Sequence, residues 1–193
     1  MDTMLTSTHA LSGAAVGALT AVVAPELLPA AVVVGLLAGV APDLDLLWTH
    51  RKTTHFPIYG AAATLAAGLA AAATGSSLVL LLTVAIAAFS LHPLMDILCG
   101  GVEVRPWEAT SERAVYDHAR RRWLRPRRLV RYAGAPEELL VTAGVGLPVV
   151  AVTAGALQQT VAVITLVSGL FIAVRRRPAP RTALLFPHAP TTL

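Results

Sequence analysis

The chain has 193 residues, of which 55% are hydrophobic and only 13% charged, with a formal net charge of +4. A soluble domain carries about 25% charged residues, so a chain with a mean hydropathy of +0.68 has too little polar surface to cover itself in water and takes lipid as part of its solvent. The single cysteine, Cys99, excludes an internal disulfide and a multi-cysteine zinc site, and the first apolar run lacks the preceding Lys or Arg of a classical secretory signal.

Six apolar runs follow in chain order, at residues 10–23, 27–41, 56–74, 77–98, 139–157 and 160–174. A full crossing takes about 20 residues at 1.5 Å rise each. The third, fourth and fifth runs meet that length, whereas the first, second and sixth are short. Pro25 and Pro29 break the first pair, which reads either as two short spans or as a re-entrant hairpin buried in the bundle. The fold expected is an all-α integral membrane bundle of about six helices. It forms one domain over residues 1–175, including a basic loop over 99–138, followed by a flexible tail over 176–193. Gly13-x-x-x-Gly17 in the first run and Gly35-x-x-x-Gly39 in the second permit close backbone approach. The alanine-rich third run packs by the same means.

Polar segments then alternate between two sides. One side holds the N-terminus, residues 42–55, residues 99–138 and the tail from Arg175. The other holds three turns, around Pro25–Glu26, Thr74–Gly75 and Gln158–Gln159. All fifteen Lys and Arg residues lie on the first side, with every histidine and ten of the eleven carboxylates, Glu26 being the exception. By the positive-inside rule that side is cytoplasmic. A multi-pass protein of the inner (cytoplasmic) membrane, with both termini inside, is expected.

Charged groups within or beside spans are costly and are functional candidates by default. His9 opens the first helix, and Pro42-Asp43-Leu44-Asp45 ends the second. His55 leads into the third, and His92-Pro93-Leu94-Met95-Asp96 lies near the end of the fourth. Residues four apart on a helix share one face, so His92 and Asp96 point the same way, as a hydrogen-bonded pair or as two metal ligands. Nitrogen–oxygen ligation suits zinc, manganese or iron. One Asp after a proline ordinarily caps a turn, and His9 alone reads as a helix-start residue. The convergence of His9, Asp43, Asp45, His55, His92 and Asp96 at one depth is what points to a metal site.

Arg51 either pairs with an Asp or receives an anionic substrate oxygen. Glu137 and Glu138 start the fifth helix, where the helix dipole favours acids, and Glu138 is also a candidate to reach the site as base or ligand. His50 and His118 lie in charged loops, where a solvated histidine is ordinary. Residues 108–124 read as an amphipathic helix whose interrupted apolar stripe is Ala109, Ala114, Val115, Trp123 and Leu124. Arg120-Arg121-Arg122 lies on it, and Arg125, Arg127 and Arg128 follow. A basic helix beside a span lies on anionic lipid head groups. The juxtamembrane position favours membrane lipid over nucleic acid, and the same charge draws phosphate-bearing substrates.

His9 with Gly13 and Gly17, Pro42-Asp43-Leu44-Asp45, Arg51, Thr54-His55, His92-x-x-x-Asp96, Gly100-Gly101 and Pro106-Trp107 together resemble the YdjM family. Its members are described as inner-membrane, metal-dependent hydrolases, some under LexA control. The resemblance runs from about His9 to Trp107. More distantly, the order His, Asp, His, then His-x-x-x-Asp is similar to zinc-dependent phospholipase C and P1-type nucleases, which cleave phosphodiesters with several zinc ions. That similarity implies His9, one of Asp43 and Asp45, His55, His92 and Asp96 as ligands. The later His-x-x-x-Glu element of those enzymes is absent, because His118 is followed four residues on by Arg122. One or two ions are therefore expected, with zinc the first choice.

The function expected is a membrane-embedded metal-dependent hydrolase, a phosphoesterase or an enzyme of a lipid-like substrate, working at the cytoplasmic face. Asp45 is the expected base and Arg51 or the basic loop the expected hold on negative charge. Two alternatives remain: a metal or proton transporter, which would place polar groups at the bilayer midplane, and a non-catalytic scaffold that binds lipid or a protein partner through the Arg-rich loop.

Overall fold

A computed structural model of the chain describes residues 4–103 and 105–175; the tail expected over 176–193 lies outside them. The helices are α1 (Thr6–Ala18), α2 (Thr20–Val23), α3 (Leu28–Val40), α4 (Pro57–Thr74), α5 (Ser77–Leu98), α6 (Pro136–Val152) and α7 (Gly155–Arg175). A two-stranded antiparallel ribbon, β1 (Tyr116–Asp117) with β2 (Arg122–Trp123), stands between α5 and α6. Local chemistry sets the boundaries. Pro29, Pro57 and Pro136 occupy the first turns of α3, α4 and α6, where a missing N–H leaves nothing unsatisfied. Gly75, at φ 62°, closes α4 in the left-handed conformation, and the Ser76 hydroxyl accepts from Val79 N–H to open α5.

Four helical stretches among the described residues are long and apolar enough to cross a membrane: Pro25–Leu47, Pro57–Thr74, Ser77–Leu98 and Gly155–Arg175. The expected lengths change at three places. The second run gains 3-10 turns at both ends, Pro25–Leu27 and Ala41–Leu47, and reaches 23 residues; its prolines start helical turns instead of breaking them. The sixth run starts at Gly155 and reaches 21 residues, because the turn falls at Thr153–Ala154 and Gln158 and Gln159 lie inside α7. The fifth, expected to be long, is α6, with 17 residues.

The expected helix over 108–124 is absent. Backbone pairing decides against it: Ala114 N–H donates to Leu124 O, and Leu124 N–H to Val115 O. The consecutive residues Ala114 and Val115 are both buried, which an interrupted helical stripe does not explain. The turn between the strands is fixed by the Asp117 carboxylate, which accepts from Ala119 N–H and Arg120 N–H as an Asx turn does. Burial opposes ionisation of Asp117, but those backbone donors and the Arg120 guanidinium outweigh it and hold its pKa below the ordinary carboxylate value. The arginine triplet therefore sits at a ribbon tip, with Arg121 at φ 52°.

Polarity is inverted relative to a water-soluble core. Leu65, Leu69, Leu78, Leu82, Leu166 and Leu170 are exposed, while Thr8, His9, Asp45, Arg51, Asp96 and Glu138 are buried. Contiguous exposed apolar surface is uncommon on soluble monomers and is the surface that bilayer hydrocarbon covers. Helix α1 lies at the centre, packed on α3, α5, α6 and α7. Its contact with α3 is made by the expected glycines: a methyl group at Gly13 would overlap the Gly35 carbonyl, one at Gly17 the Ala31 carbonyl, and one at Gly39 the His9 carbonyl. Gly13→Leu is expected to force α1 and α3 apart at a cost of about 1–3 kcal/mol. The thermal midpoint in nanodiscs, followed by circular dichroism, should fall by roughly 5–10 °C, and an unchanged midpoint would show that the helices do not meet there.

Candidate metal centre

Four separate elements deliver the polar residues. His9 stands in the first turn of α1. Asp43 and Asp45 lie in the 3-10 segment Ala41–Leu47. His55 ends the loop before α4, and His92 and Asp96 occupy successive turns near the end of α5. The loop is drawn onto the 3-10 segment by the Thr54 hydroxyl, which donates to the Pro42 carbonyl. A 3-10 helix turns about 120° per residue, so two carboxylates two positions apart cannot face the same atom. Asp43 turns to His92, with Oδ1 and Nε2 3.2 Å apart. Asp45 turns to His55 and His50, whose Nδ1 atoms lie 2.9 and 2.8 Å from its oxygens.

His9, His92 and Asp96 form one group whose candidate ligand atoms lie within 4.8 Å of one another, and Asp43, His55 and His92 form a second. Five of the six expected ligands are thus brought together, with His92 common to both groups. Asp96 is the hub. Its Oδ1 lies 3.4 Å from His9 Nε2, and its Oδ2 lies 3.2 Å from His55 Nε2 and 3.5 Å from His92 Nε2. The rings of His9 and His92 stack at 3.7 Å.

The donor set fits a divalent cation on three grounds. First, bonds of 2.0–2.1 Å at tetrahedral angles place neighbouring ligand atoms roughly 3.3 Å apart, and the nitrogen–oxygen separations here are 3.2, 3.2, 3.4 and 3.5 Å. Second, His92 Nδ1–H donates to the Gly39 carbonyl at 2.7 Å, so in the neutral ring Nε2 turns its lone pair toward Asp43 and Asp96. Two lone pairs face each other stably only with a proton or a cation between them, and His92 Nε2, Asp43 Oδ2 and His9 Nδ1 are buried without a hydrogen-bond partner. Third, Asp43, Asp45 and Asp96 carry three negative charges against the one positive charge of Arg51, an excess that is balanced by protons on the neighbouring imidazoles or by a divalent ion that replaces them.

Arg51 is 1% exposed, and its guanidinium donates to Asp96 Oδ1 at 3.1 Å and to the Gly100 and Ala114 carbonyls at 3.0 and 3.5 Å. Of its two expected roles, the pairing with an Asp is the one formed. Its backbone sits at φ 62°, a conformation unfavourable for a side-chain-bearing residue, and its carbonyl accepts from Tyr116 N–H at 3.0 Å. The loop after α5 therefore grips Arg51, and Arg51 holds Asp96.

Asp45, expected as ligand and base, lies outside both groups. It grips His55 Nδ1, which leaves Nε2 of the neutral ring free to ligate. Glu138, expected to reach the site, does not. Its carboxylate accepts from Leu5 N–H, the Thr8 hydroxyl and Gly134 N–H at 2.6, 2.8 and 2.6 Å, and so ties the start of α1 to α6. His118 pairs with the Lys52 carbonyl at 2.6 Å and His50 with Asp45, both outside the two groups. The sequence does not announce the Gly39, Gly100 and Ala114 carbonyls, since a backbone acceptor has no residue signature.

Asp45→Asn is expected to weaken zinc binding about 10–100-fold, read by competition with a chelating dye; equal affinity would remove Asp45 from any positioning role. pH provides a second handle. Burial opposes charge on His55, but hydrogen bonds to Asp45 and Asp96 outweigh it and raise its pKa above the ordinary imidazole value. This stabilises the cation-free protein fully below about pH 6.5 and fades as pH rises through the raised value. A cation ligated by His55 must displace that proton, so calorimetry with zinc as the probe ion should show affinity increasing about tenfold or more from pH 6 to pH 8, with proton release; a pH-independent affinity contradicts this. The chain matches no protein-family model, no curated protein and no solved structure.

Proposed function

We propose that the chain is a membrane-embedded metal-dependent hydrolase of a phosphoester, working at the cytoplasmic face of the inner membrane, as the resemblance to the YdjM family implies. The observation that carries this reading is the meeting of His9, Asp43, His55, His92 and Asp96, from four elements, in one cluster in which all but the half-buried Asp43 are buried. Zinc is the ion that the histidine-rich set favours, with manganese or iron accommodated. A divalent cation held there supplies acidified water and a polarised phosphoryl oxygen. Because His92 Nε2 is shared between the two groups and one nitrogen lone pair serves one ion, a single ion is favoured over two.

The chain's own residues divide the remaining work. His55 and His92 are fixed at Nδ1 by Asp45 and Gly39 O, which aims both Nε2 atoms at Asp96. Asp43 is the group at the opening, its side chain 12% exposed, and its Oδ2 has no hydrogen-bond partner. Asp43, in place of Asp45, is the carboxylate available to take the proton of the attacking water. In the reaction the water oxygen bonds to phosphorus and the ester P–O bond breaks, and the proton passes through the carboxylate to the departing alcohol. Exposed arginines of the ribbon and its flank, Arg120 and Arg125, supply long-range attraction for a phosphate.

The test is hydrolysis of bis(p-nitrophenyl) phosphate by the protein in nanodiscs, with and without zinc, beside zinc uptake into proteoliposomes. Zinc-dependent release of nitrophenol without uptake is expected. Uptake without hydrolysis would make the protein a transporter. Neither activity, with anionic-lipid binding lost on replacing Arg120–Arg122, would make it a scaffold.

A further inference from the structure

An apolar groove of about 420 Å³ runs beside the histidine–aspartate cluster, between the end of α3, the start of α4 and the second half of α5. Its walls include Ala38, Ala41, Phe56, Ala63, Ala85 and Phe89. Small residues create the space, and Gly60 lets α4 approach α5 closely, since a methyl group there would lie 2.6 Å from Ser90 Oγ. The Ser90 hydroxyl is already spent on the Ile86 carbonyl at 2.6 Å, so the groove offers an occupant almost no hydrogen bonds.

Each wall lies next to the cluster along the chain. Phe56 follows His55, Ala41 shares the 3-10 segment of Asp43, and Phe89 stands one turn before His92 on the same face of α5. Gly39, next to Ala38, accepts from His92 Nδ1. All three walls belong to stretches long and apolar enough to cross a membrane, and Tyr59 is exposed beside the groove, so its open side faces hydrocarbon in a bilayer. The basic ribbon sits over the polar end, where His118 meets the Phe56 ring at 4.8 Å.

Size and chemistry choose the occupant. From Phe56 to Ala63 the groove is roughly 10 Å long at 1.5 Å per residue, or about two-thirds of one leaflet's hydrocarbon depth. An extended peptide would leave its N–H and C=O groups unsatisfied against these walls. A hydrocarbon chain needs no hydrogen bonds and is what the bilayer presents to the open side of the groove.

We propose that this groove holds the hydrocarbon chain of a phosphorylated lipid whose ester end lies at the histidine–aspartate cluster, so that substrate enters sideways from the bilayer. The assignment of the ester end rests on the hydrolase reading above; the seating of the chain rests on the groove itself.

The test uses the full chain in nanodiscs containing a photoactivatable phosphatidic acid with a diazirine in its acyl chain, mapped by mass spectrometry. Labelling of α4 and α5 at Tyr59, Ala63 and Phe89 is expected to exceed that of the equally apolar α7 face at Leu166 and Leu170 by about fivefold or more. Ala63→Phe, at an exposed position, should bring it down to the α7 level, and Ala85→Phe should do the same from the opposite wall. A diacylglycerol probe with the same chain should label the groove less. Even labelling of both faces, or labelling indifferent to both substitutions, overturns the proposal; equal labelling by the two probes overturns its phosphate part. Zinc content and hydrolysis of the water-soluble diester, measured on the same sample, separate the two readings. Groove labelling without zinc or turnover removes the enzyme and leaves the seated chain, whereas turnover with even labelling removes only the groove.

Discussion

Replacing His92 with alanine is expected to empty the site, taking bound zinc from about one per chain to below a tenth. His92 belongs to both groups of candidate ligands, and its Nε2 lies 3.2 Å from Asp43 and 3.5 Å from Asp96. Among the described residues no further imidazole is placed to take over: His9 and His55 already count among the candidate ligands, and His50 and His118 face Asp45 and the Lys52 carbonyl. The substitution also leaves the Gly39 carbonyl buried without its donor, which costs about 1–3 kcal/mol. His92→Gln, which retains a side-chain donor, is the companion variant. Elemental analysis after dialysis reads the metal, and circular dichroism of the dialysed proteins reads the fold. Retention of full zinc by both variants would place any ion elsewhere.

Arg51→Ala should be the most destabilising single change in the 42–55 segment. The guanidinium is buried, pairs with Asp96 and holds the Gly100 and Ala114 carbonyls. Removing one partner of a buried ion pair costs about 3–5 kcal/mol, because the other charge remains buried and unpaired. For a chain of this size that lowers the thermal midpoint by roughly 10 °C or more. Arg51→Lys should recover only part of the loss, since an ammonium cannot reproduce the planar fork that reaches three acceptors. If a divalent cation is bound, it shares the charge of Asp96, so added zinc should return part of the midpoint lost in Arg51→Ala. A midpoint within a degree or two of wild type would mean that Arg51 is solvated and that the loop after α5 does not close over it.

Much of this was legible in the sequence where one residue type has one physical consequence. The run over 77–98 coincides with α5, and Gly75 marks the end of α4, because hydrophobicity and turn chemistry are local. Gly13, Gly17, Gly35 and Gly39 announced a close contact that α1 and α3 make. The convergence of His9, Asp43, His55, His92 and Asp96 followed from the depth of helix ends alone. What sequence could not separate was Asp43 from Asp45, since that depends on a 3-10 turn in place of an α-turn. Glu138 stands in the first turn of α6, as expected, but its partners lie 130 and 133 positions away, beyond local inference. The segment over 108–124 has apolar residues that suit a helix by spacing, while the Asp117 turn and the pairing of residues 114–115 with 124 set a ribbon. The span lengths moved because 3-10 turns extend α3 beyond its apolar run and α7 absorbs two glutamines.

Anomalous diffraction at the zinc edge, from crystals of zinc-saturated protein, tests the centre directly. One peak is expected, about 2.0–2.2 Å from His92 Nε2 and from a carboxylate oxygen of Asp43 or Asp96. A saturated protein with no peak among His9, Asp43, His55, His92 and Asp96, or with zinc only at a loop histidine such as His118, would contradict it.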